Sequence, residues 1–215
     1  MPDLKLLAVD TCFGACSVAV LAGSTVLAAR RVVMERGHAE ALAPMVEAAM
    51  SAAGLAFNEL DKLAVTTGPG SFTGQRVGLA FMRGLRIALT KPLVGITSLS
   101  AMAEQARAET GRPIAAAVHD AKREEVYLEM IGHPFAAQII PFGDAIRLLS
   151  SFPALALAGT AAASIAPHCQ DAIVTTITVP DAVWVGRLAM AVVAEGTPRP
   201  LYLRPPDAKL PALRP

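Results

Sequence analysis

The residues with the clearest chemical potential form a glycine-rich run, Gly68-Pro69-Gly70-Ser71-Phe72-Thr73-Gly74, between an apolar strand pattern at 63–67 and a helical pattern at 75–90. At such a strand-loop-helix junction, free backbone N–H groups and the positive end of the helix dipole can hold an anion. Gly68, Gly70, Ser71, Thr73 and Gly74 are therefore candidate phosphate contacts. The run is not a Walker A loop, because Gln75-Arg76 stands where Lys followed by Ser or Thr is required. It reads equally as a tight turn that lets the helix lie close to the sheet. Asp10-Thr11 poses the same choice. It ends an apolar strand just before a glycine turn, at the edge where α/β folds place ligands. The carboxylate could hold a magnesium ion or a phosphate-bound water, or it could cap the turn.

Other chemistry is sparse. His38, His119, His133 and His168 are scattered, without the i, i+4 pairing or neighbouring carboxylate of a zinc site, so no metal site is expected. Ser71 and Ser98 lack the G-x-S-x-G context of a nucleophile. The cysteines, Cys12, Cys16 and Cys169, are odd in number and argue for a reducing compartment. Cys12 and Cys16 flank the 13–15 turn and read as small apolar fillers.

The elements that must position these residues follow from periodicity. Short β segments at 4–10, 16–21 and 25–32, joined by tight turns, form a meander. A helix at 38–53, with Pro44 in its first turns and Gly54 as C-cap, precedes the strand and helix around the glycine run. A strand at 93–96 and a helix at 98–109 complete the first half, and Gly111-Arg112-Pro113 marks a boundary. Strands at 114–119, 125–131 and 136–140, a helix at 144–150, strands at 154–158 and 172–179, and a helix at 182–195 repeat that order. The chain thus reads as two duplicated α/β subdomains, 1–110 and 111–215, the second ending in an extended proline-rich tail from Pro200.

The helix at 75–90 is apolar almost all round. Gly78, Met82, Leu85 and Leu89 form a stripe for the sheet, and Arg76, Arg83 and Arg86 mark one side, a local stripe that could meet tRNA phosphates or is simply solvated. Ala80, Gly84 and Ala88 form a second row, with Val77 and Phe81 beside it, narrow enough for another helix to approach closely. That neighbour is either the chain's own 38–53 helix or a related subunit. With Ala41 and Met45 of the 38–53 helix, this row is the candidate partner surface, through which the free chain would homodimerise.

Composition fits this picture. The 215 residues are 53% hydrophobic and 17% charged, with a formal charge of +1, so no global field exists to hold a polyanion. Any tRNA contact is expected to be weak, salt-sensitive and mostly made by another subunit. The uncharged stretch 148–170 contains Pro153, Gly159 and Pro167 and reads as strand, loop and short helix, not a membrane span. The N-terminus has no signal-peptide pattern, and a soluble cytoplasmic protein is expected.

Several of these segments together resemble a known family. They are 6–11 with 15–19, the segment from His38, 67–80 around the glycine run, 92–99, Asp120-Ala-Lys-Arg-Glu-Glu-Val-Tyr127, and Pro200-Leu-Tyr202-Leu-Arg204. They look like the bacterial TsaB (YeaZ) family over nearly the whole chain. The resemblance implies an actin-like ATPase (ribonuclease H-like) fold. It also implies a part in forming threonylcarbamoyladenosine beside the anticodon of tRNAs that read codons starting with A. In that family the subunit is the non-catalytic partner of a paralogous transferase, TsaD, and an ATPase, TsaE, joins them. The paralogue's two metal histidines follow a matching Pro-Leu-x-Gly strand, and alignment on 92–95 puts Ser98 and Met102 in their places. Neither side chain suits that metal. Two departures stand out: Lys122 replaces a common Arg, and the adenosine-side loop Ala158-Gly159-Thr160-Ala161-Ala162 lacks one of a glycine pair. No cofactor is expected on this chain alone, with ATP or ADP shared at the complex interface. The competing expectation is an ATP-dependent kinase or hydrolase anchored on Asp10 and the 68–74 loop. Its formal base would be Asp120, beside a charged turn at Lys122, Arg123, Glu124 and Glu125.

Overall fold

The short apolar run that ends in Asp10 becomes the central strand of the first sheet, because both its faces are covered. In the computed structural model, which describes residues 3–204, strands β1 (Lys5–Asp10), β2 (Ala15–Ala22) and β3 (Thr25–Val33) form the expected antiparallel meander. Helix α1 (His38–Ala53) follows, ended by Gly54 in the left-handed region (φ 65°), whose N–H reaches the Met50 and Ser51 carbonyls. Strand β4 (Lys62–Gly68), helix α2 (Phe72–Leu89), strand β5 (Leu93–Thr97) and helix α3 (Ser98–Thr110) complete this half. The sheet order is β3-β2-β1-β4-β5, with β4 parallel to β1 and β5 parallel to β4.

The second half repeats the plan with β6 (Ala115–Asp120), β7 (Glu125–Ile131), β8 (Phe135–Pro141), α4 (Phe142–Leu149), β9 (Ala156–Ala158), α5 (Ala162–Ile165), β10 (Ile173–Val174) and α6 (Ala182–Ala191). Its order, β10-β9-β6-β7-β8, is the first sheet's order read from the other edge. Each sheet is an antiparallel three-strand meander extended by two parallel strands. This duplication is the actin-like, ribonuclease H-like α/β fold. No helix among the described residues is long and apolar enough to cross a membrane.

Three boundaries move by three residues or more from their expected positions. Helix α2 starts at Phe72, not Gln75, because the Ser71 hydroxyl accepts the Gly74 N–H at 3.0 Å and so caps the first turn. The expected strand at 172–179 shrinks to Ile173–Val174, although the Thr175 N–H still donates to the Leu157 carbonyl at 2.9 Å and the Gly159 N–H to that of Ile177 at 2.7 Å. Helix α6 stops at Ala191, where Lys62 Nζ donates to the carbonyls of Ala189, Met190 and Val192 at 3.0, 3.3 and 2.9 Å. Of the tail expected to be extended, 200–204 is irregular and 205–215 lies outside the described residues.

Residues 110 and 111 separate the two sheets, but the helices do not respect that division. Leu99, Met102, Ala103 and Ala106 of α3 pack with Ala115, Ala117, Ala156 and Ala158 of the second sheet. Ala182, Val185 and Ala189 of α6 pack on Leu6, Ala8, Leu21 and Ala64 of the first. Gly186 permits this approach, because a Cβ there would lie 2.5 Å from Leu21 Cδ1. Lys62 is the polar pin of the same contact. Lys62→Met keeps the stem's volume and strips the donors from three carbonyls, so it should lower unfolding free energy by about 2 kcal/mol, read as a shifted urea midpoint.

Candidate functional site

The glycine run sits where the sequence reading put it, but its space is filled from within. The turn after β1 presses against it: Ser71 N–H donates to the Cys12 carbonyl at 2.7 Å, and the Thr11 hydroxyl donates to the Gly74 carbonyl at 2.7 Å. Gly78 N–H in turn donates to Thr11 Oγ1 at 3.1 Å. A Cβ at Gly70 would lie 2.3 Å from the Cys12 carbonyl oxygen, and one at Gly74 would lie 2.1 Å from that of Thr11. The glycines make room for the chain's own backbone. Ser98 Oγ donates to the Pro69 carbonyl at 2.5 Å and Gln75 Nε2 to that of Gly70 at 2.9 Å, which fixes the loop from below and within. Of the two readings left open by spacing, the close-packing turn is the one this geometry describes, and Thr73 faces solvent beside it.

Asp10 is fully buried at the end of β1. Its Oδ1 accepts the Thr66 hydroxyl at 2.6 Å and the Cys12 N–H at 3.1 Å, while Oδ2 has no partner. Burial pushes its pKa up to about 7 despite those hydrogen bonds. The Cys12 thiol donates to Thr66 Oγ1 at 3.2 Å, and burial raises its pKa too, so Cys12 is an inert neutral filler. With no exposed surface, this carboxyl is closed to a ligand from solvent. Among the described residues no group of three or more His, Cys, Asp or Glu is placed to hold a metal ion. Ser98 and Met102 are both completely buried, the first on Pro69 and the second in the core beneath α3.

The adenosine-side loop is equally tight. Gly159 has φ 103°, and a Cβ there would lie 2.1 Å from the Val118 carbonyl oxygen. Thr160 Oγ1 accepts the Asp120 N–H at 3.0 Å. An open groove of about 510 Å³ borders this loop, and Asp120, Glu124 and Glu125 line it with Phe142, Thr160 and Ser164. Two of these three carboxylates are occupied within the chain, Asp120 by Lys122 and Glu125 by Arg204. Asp120 is also committed: Lys122 donates to it from N and Nζ, both at 2.8 Å, and holds its pKa down.

The charged turn is more structured than its composition implied. Lys122, Arg123 and Glu124 have φ of 63°, 57° and 59°, a left-handed conformation costing roughly 1–2 kcal/mol per residue. Arg204 helps to hold it, donating to the Ala121 carbonyl at 2.8 Å and Glu125 Oε2 at 2.5 Å. Two landmarks far apart in sequence, 120–127 and 200–204, thus meet. On the way the chain crosses α2: Arg83 donates to the Pro198 carbonyl, Leu201 N–H donates to the Thr67 carbonyl at 2.8 Å, and Arg76 Nε donates to Tyr202 OH at 2.8 Å. Of the arginine side of α2, Arg76 and Arg83 thus also anchor this strap.

The second row of α2 is at the surface. Ala80, Gly84 and Ala88 are exposed, Val77 and Phe81 are half-buried toward α1, and Ala41 and Met45 of α1 are half-buried beside them. Gly78 and Met82 are buried against the sheet, with Leu85 and Leu89 packed alongside, as periodicity requires. The row is not used up by α1. Ile87, 75% exposed, extends the same face and was not singled out from sequence. Between the sheets, the Phe13 ring stacks on His119 at 3.9 Å, and His38 Nε2–H donates to the Phe13 carbonyl at 3.1 Å. Burial lowers the His119 pKa to about 4, so the ring is neutral.

The family model for the tRNA N6-adenosine threonylcarbamoyltransferase TsaD matches residues 32–133. YeaZ from Pseudomonas aeruginosa superposes with a TM-score of 0.76 at 30% identity, over 93% of this chain and 100% of its own. An uncharacterized Mycobacterium tuberculosis protein is 35% identical over 95% of this chain and 93% of its own. The Escherichia coli tRNA threonylcarbamoyladenosine biosynthesis protein TsaB is 36% identical over 58% of this chain and 53% of its own, so the match spans about half of that curated relative.

Proposed function

The chain belongs to the TsaB (YeaZ) family, and from that membership we propose that it is the non-catalytic scaffold subunit of a tRNA threonylcarbamoyladenosine-forming complex. In this reading it works in the cytoplasm and docks on a TsaD-type transferase, with a TsaE-type ATPase joining them. The adenosine modified lies beside the anticodon of tRNAs that read codons starting with A. The chain homodimerises when alone, and ATP or ADP is shared at the assembled interface. One observation carries the reading: α2 leaves the row Ala80, Gly84, Ala88 and Ile87 uncovered although the core beneath is complete. A catalytic role is further disfavoured by the buried Ser98 and Met102, which stand where the resemblance puts metal histidines in the paralogue. The kinase or hydrolase alternative needs Asp10 to face a nucleotide, and Asp10 is sealed.

The test is reconstitution. The purified chain should neither turn over ATP nor modify tRNA, and adding it to the transferase paralogue and the ATPase should restore modification that those two lack. ATP turnover by the chain alone that disappears in Asp10→Ala would favour the enzyme reading instead.

A further inference from the structure

On the flank of α2 away from α1, three side chains form an exposed stack. The Phe72 and Tyr202 rings lie 5.6 Å apart at 27°, and the Arg76 guanidinium sits 3.5 Å over Phe72 while its Nε holds the Tyr202 hydroxyl. Phe72 is 56% exposed and Tyr202 44%, and neither belongs to a core cluster, so closing the core does not explain them. Two partly exposed aromatic rings, one with a guanidinium over one of its faces, make a platform suited to a flat π system.

The two segments that carry the stack hold charges of one sign, and Glu125 of the 120–127 turn approaches only at the strap's end, where Arg204 pairs with it. From Lys62 to Ala103 the sequence contains no Asp or Glu, and neither does the strap at 196–204. Arg76, Arg83 and Arg86 lie on α2, Lys91 just past its end, and Arg199 on the strap. None of the five is in an ion pair among the described residues. Arg83 spends its hydrogen bonds on a neutral carbonyl, so its charge is not cancelled. A chain with a net charge of only +1 therefore concentrates positive charge along one helix flank, with an aromatic stack at the end of it.

We propose that the Phe72–Arg76–Tyr202 stack receives an unpaired base of RNA and that the cationic flank of α2 follows the adjoining phosphates. Stacking plus backbone neutralisation is how single-stranded nucleic acid is held without sequence reading. The choice of RNA rests on the proposed function, in which a tRNA is the substrate. The contact is this chain's own, in addition to whatever the assembly supplies.

The probe is a fluorescently labelled RNA hairpin with an unpaired loop, compared by anisotropy with a blunt RNA duplex of equal length, using the full chain at low salt. Phe72→Leu and Tyr202→Leu should each weaken hairpin binding about ten-fold and leave duplex binding unchanged. Tyr202→Phe keeps the ring and should stay close to the original affinity. Arg76→Gln should weaken both RNAs and reduce the salt slope by about one. If a leucine variant loses its circular dichroism signal, 4-thiouridine placed in the hairpin loop decides on the unaltered chain: crosslinks to peptides containing Phe72 or Tyr202 support the platform, and crosslinks elsewhere overturn it. Equal binding of hairpin and duplex by all folded variants would also overturn it, as would competition of the hairpin by anionic vesicles. The two readings fail separately. A chain that binds the hairpin but does not restore modification loses the scaffold role, whereas one that restores modification but crosslinks elsewhere loses only the platform.

Discussion

Ala80→Arg and Gly84→Glu will each give a folded monomer that neither dimerises nor binds the transferase paralogue. Ala80, Gly84 and Ala88 are exposed, and nothing lies within 4 Å of a Cβ built at Gly84, so the added side chains meet only water in the isolated subunit. Replacing a mid-helix glycine should even steady α2 by roughly 0.5–1 kcal/mol. In a helix-to-helix contact the same side chains become charges without partners, at a cost of about 3–5 kcal/mol, or on the order of a hundred-fold to a thousand-fold in affinity. Size-exclusion chromatography with circular dichroism, with and without the paralogue, separates the cases. A folded variant that still associates would show that this face is not the docking surface. Ile87→Asp is a companion variant, because Ile87 is exposed on the same face and only an interface reaching it would be lost.

Periodicity located nearly every element, because a buried face leaves its mark on consecutive residues: the apolar stripe of α2 and the repeated strand order of the two halves are both local signals. What stayed closed to sequence reading was whatever depends on residues far apart in the chain. The spacing of Gly70 and Gly74 shows that something approaches closely, but the approaching atoms are the carbonyls of Cys12 and Thr11, and nothing in residues 68–74 distinguishes a backbone from a phosphate. That Arg76 and Arg83 hold the strap was not legible, because their partners, Tyr202 and Pro198, lie on a segment without regular structure. Lys62 stands one residue before the expected strand, and nothing local points to its partners, the last carbonyls of α6. Asp10 is the clearest case. A carboxylate at a strand end is a ligand or a buried acid according to what lies over it, and that cover comes from Thr66 and the turn at Cys12.

That burial leads to a second large effect, in the dependence of stability on pH. Asp10 has a folded pKa of about 7 against an ordinary 3.8, so the folded state binds the proton more tightly than the unfolded chain. Its contribution is full below the ordinary value and is lost as pH rises through 7, a change of about 4 kcal/mol. His119 runs the other way. Its folded pKa is about 4 against 6.5, so its contribution is full above 6.5 and is lost as pH falls toward 4, by about 3 kcal/mol. Over the shared window the two losses oppose each other and partly cancel in the unaltered protein. Glu129, also raised by burial, adds to the Asp10 side. Asp10→Asn copies the neutral acid at every pH, so only the histidine loss remains and stability should fall on acidification. His119→Phe keeps the stack on Phe13 and removes the titrating ring, so stability should fall instead as pH rises. Urea unfolding of the three proteins across that window, taken as differences from the unaltered chain, cancels the contribution of every other group. Three parallel curves would mean that neither side chain is held as the geometry describes. Oppositely sloped variants would establish that the fold holds Asp10 in its neutral form at pH values where a free carboxyl is ionised.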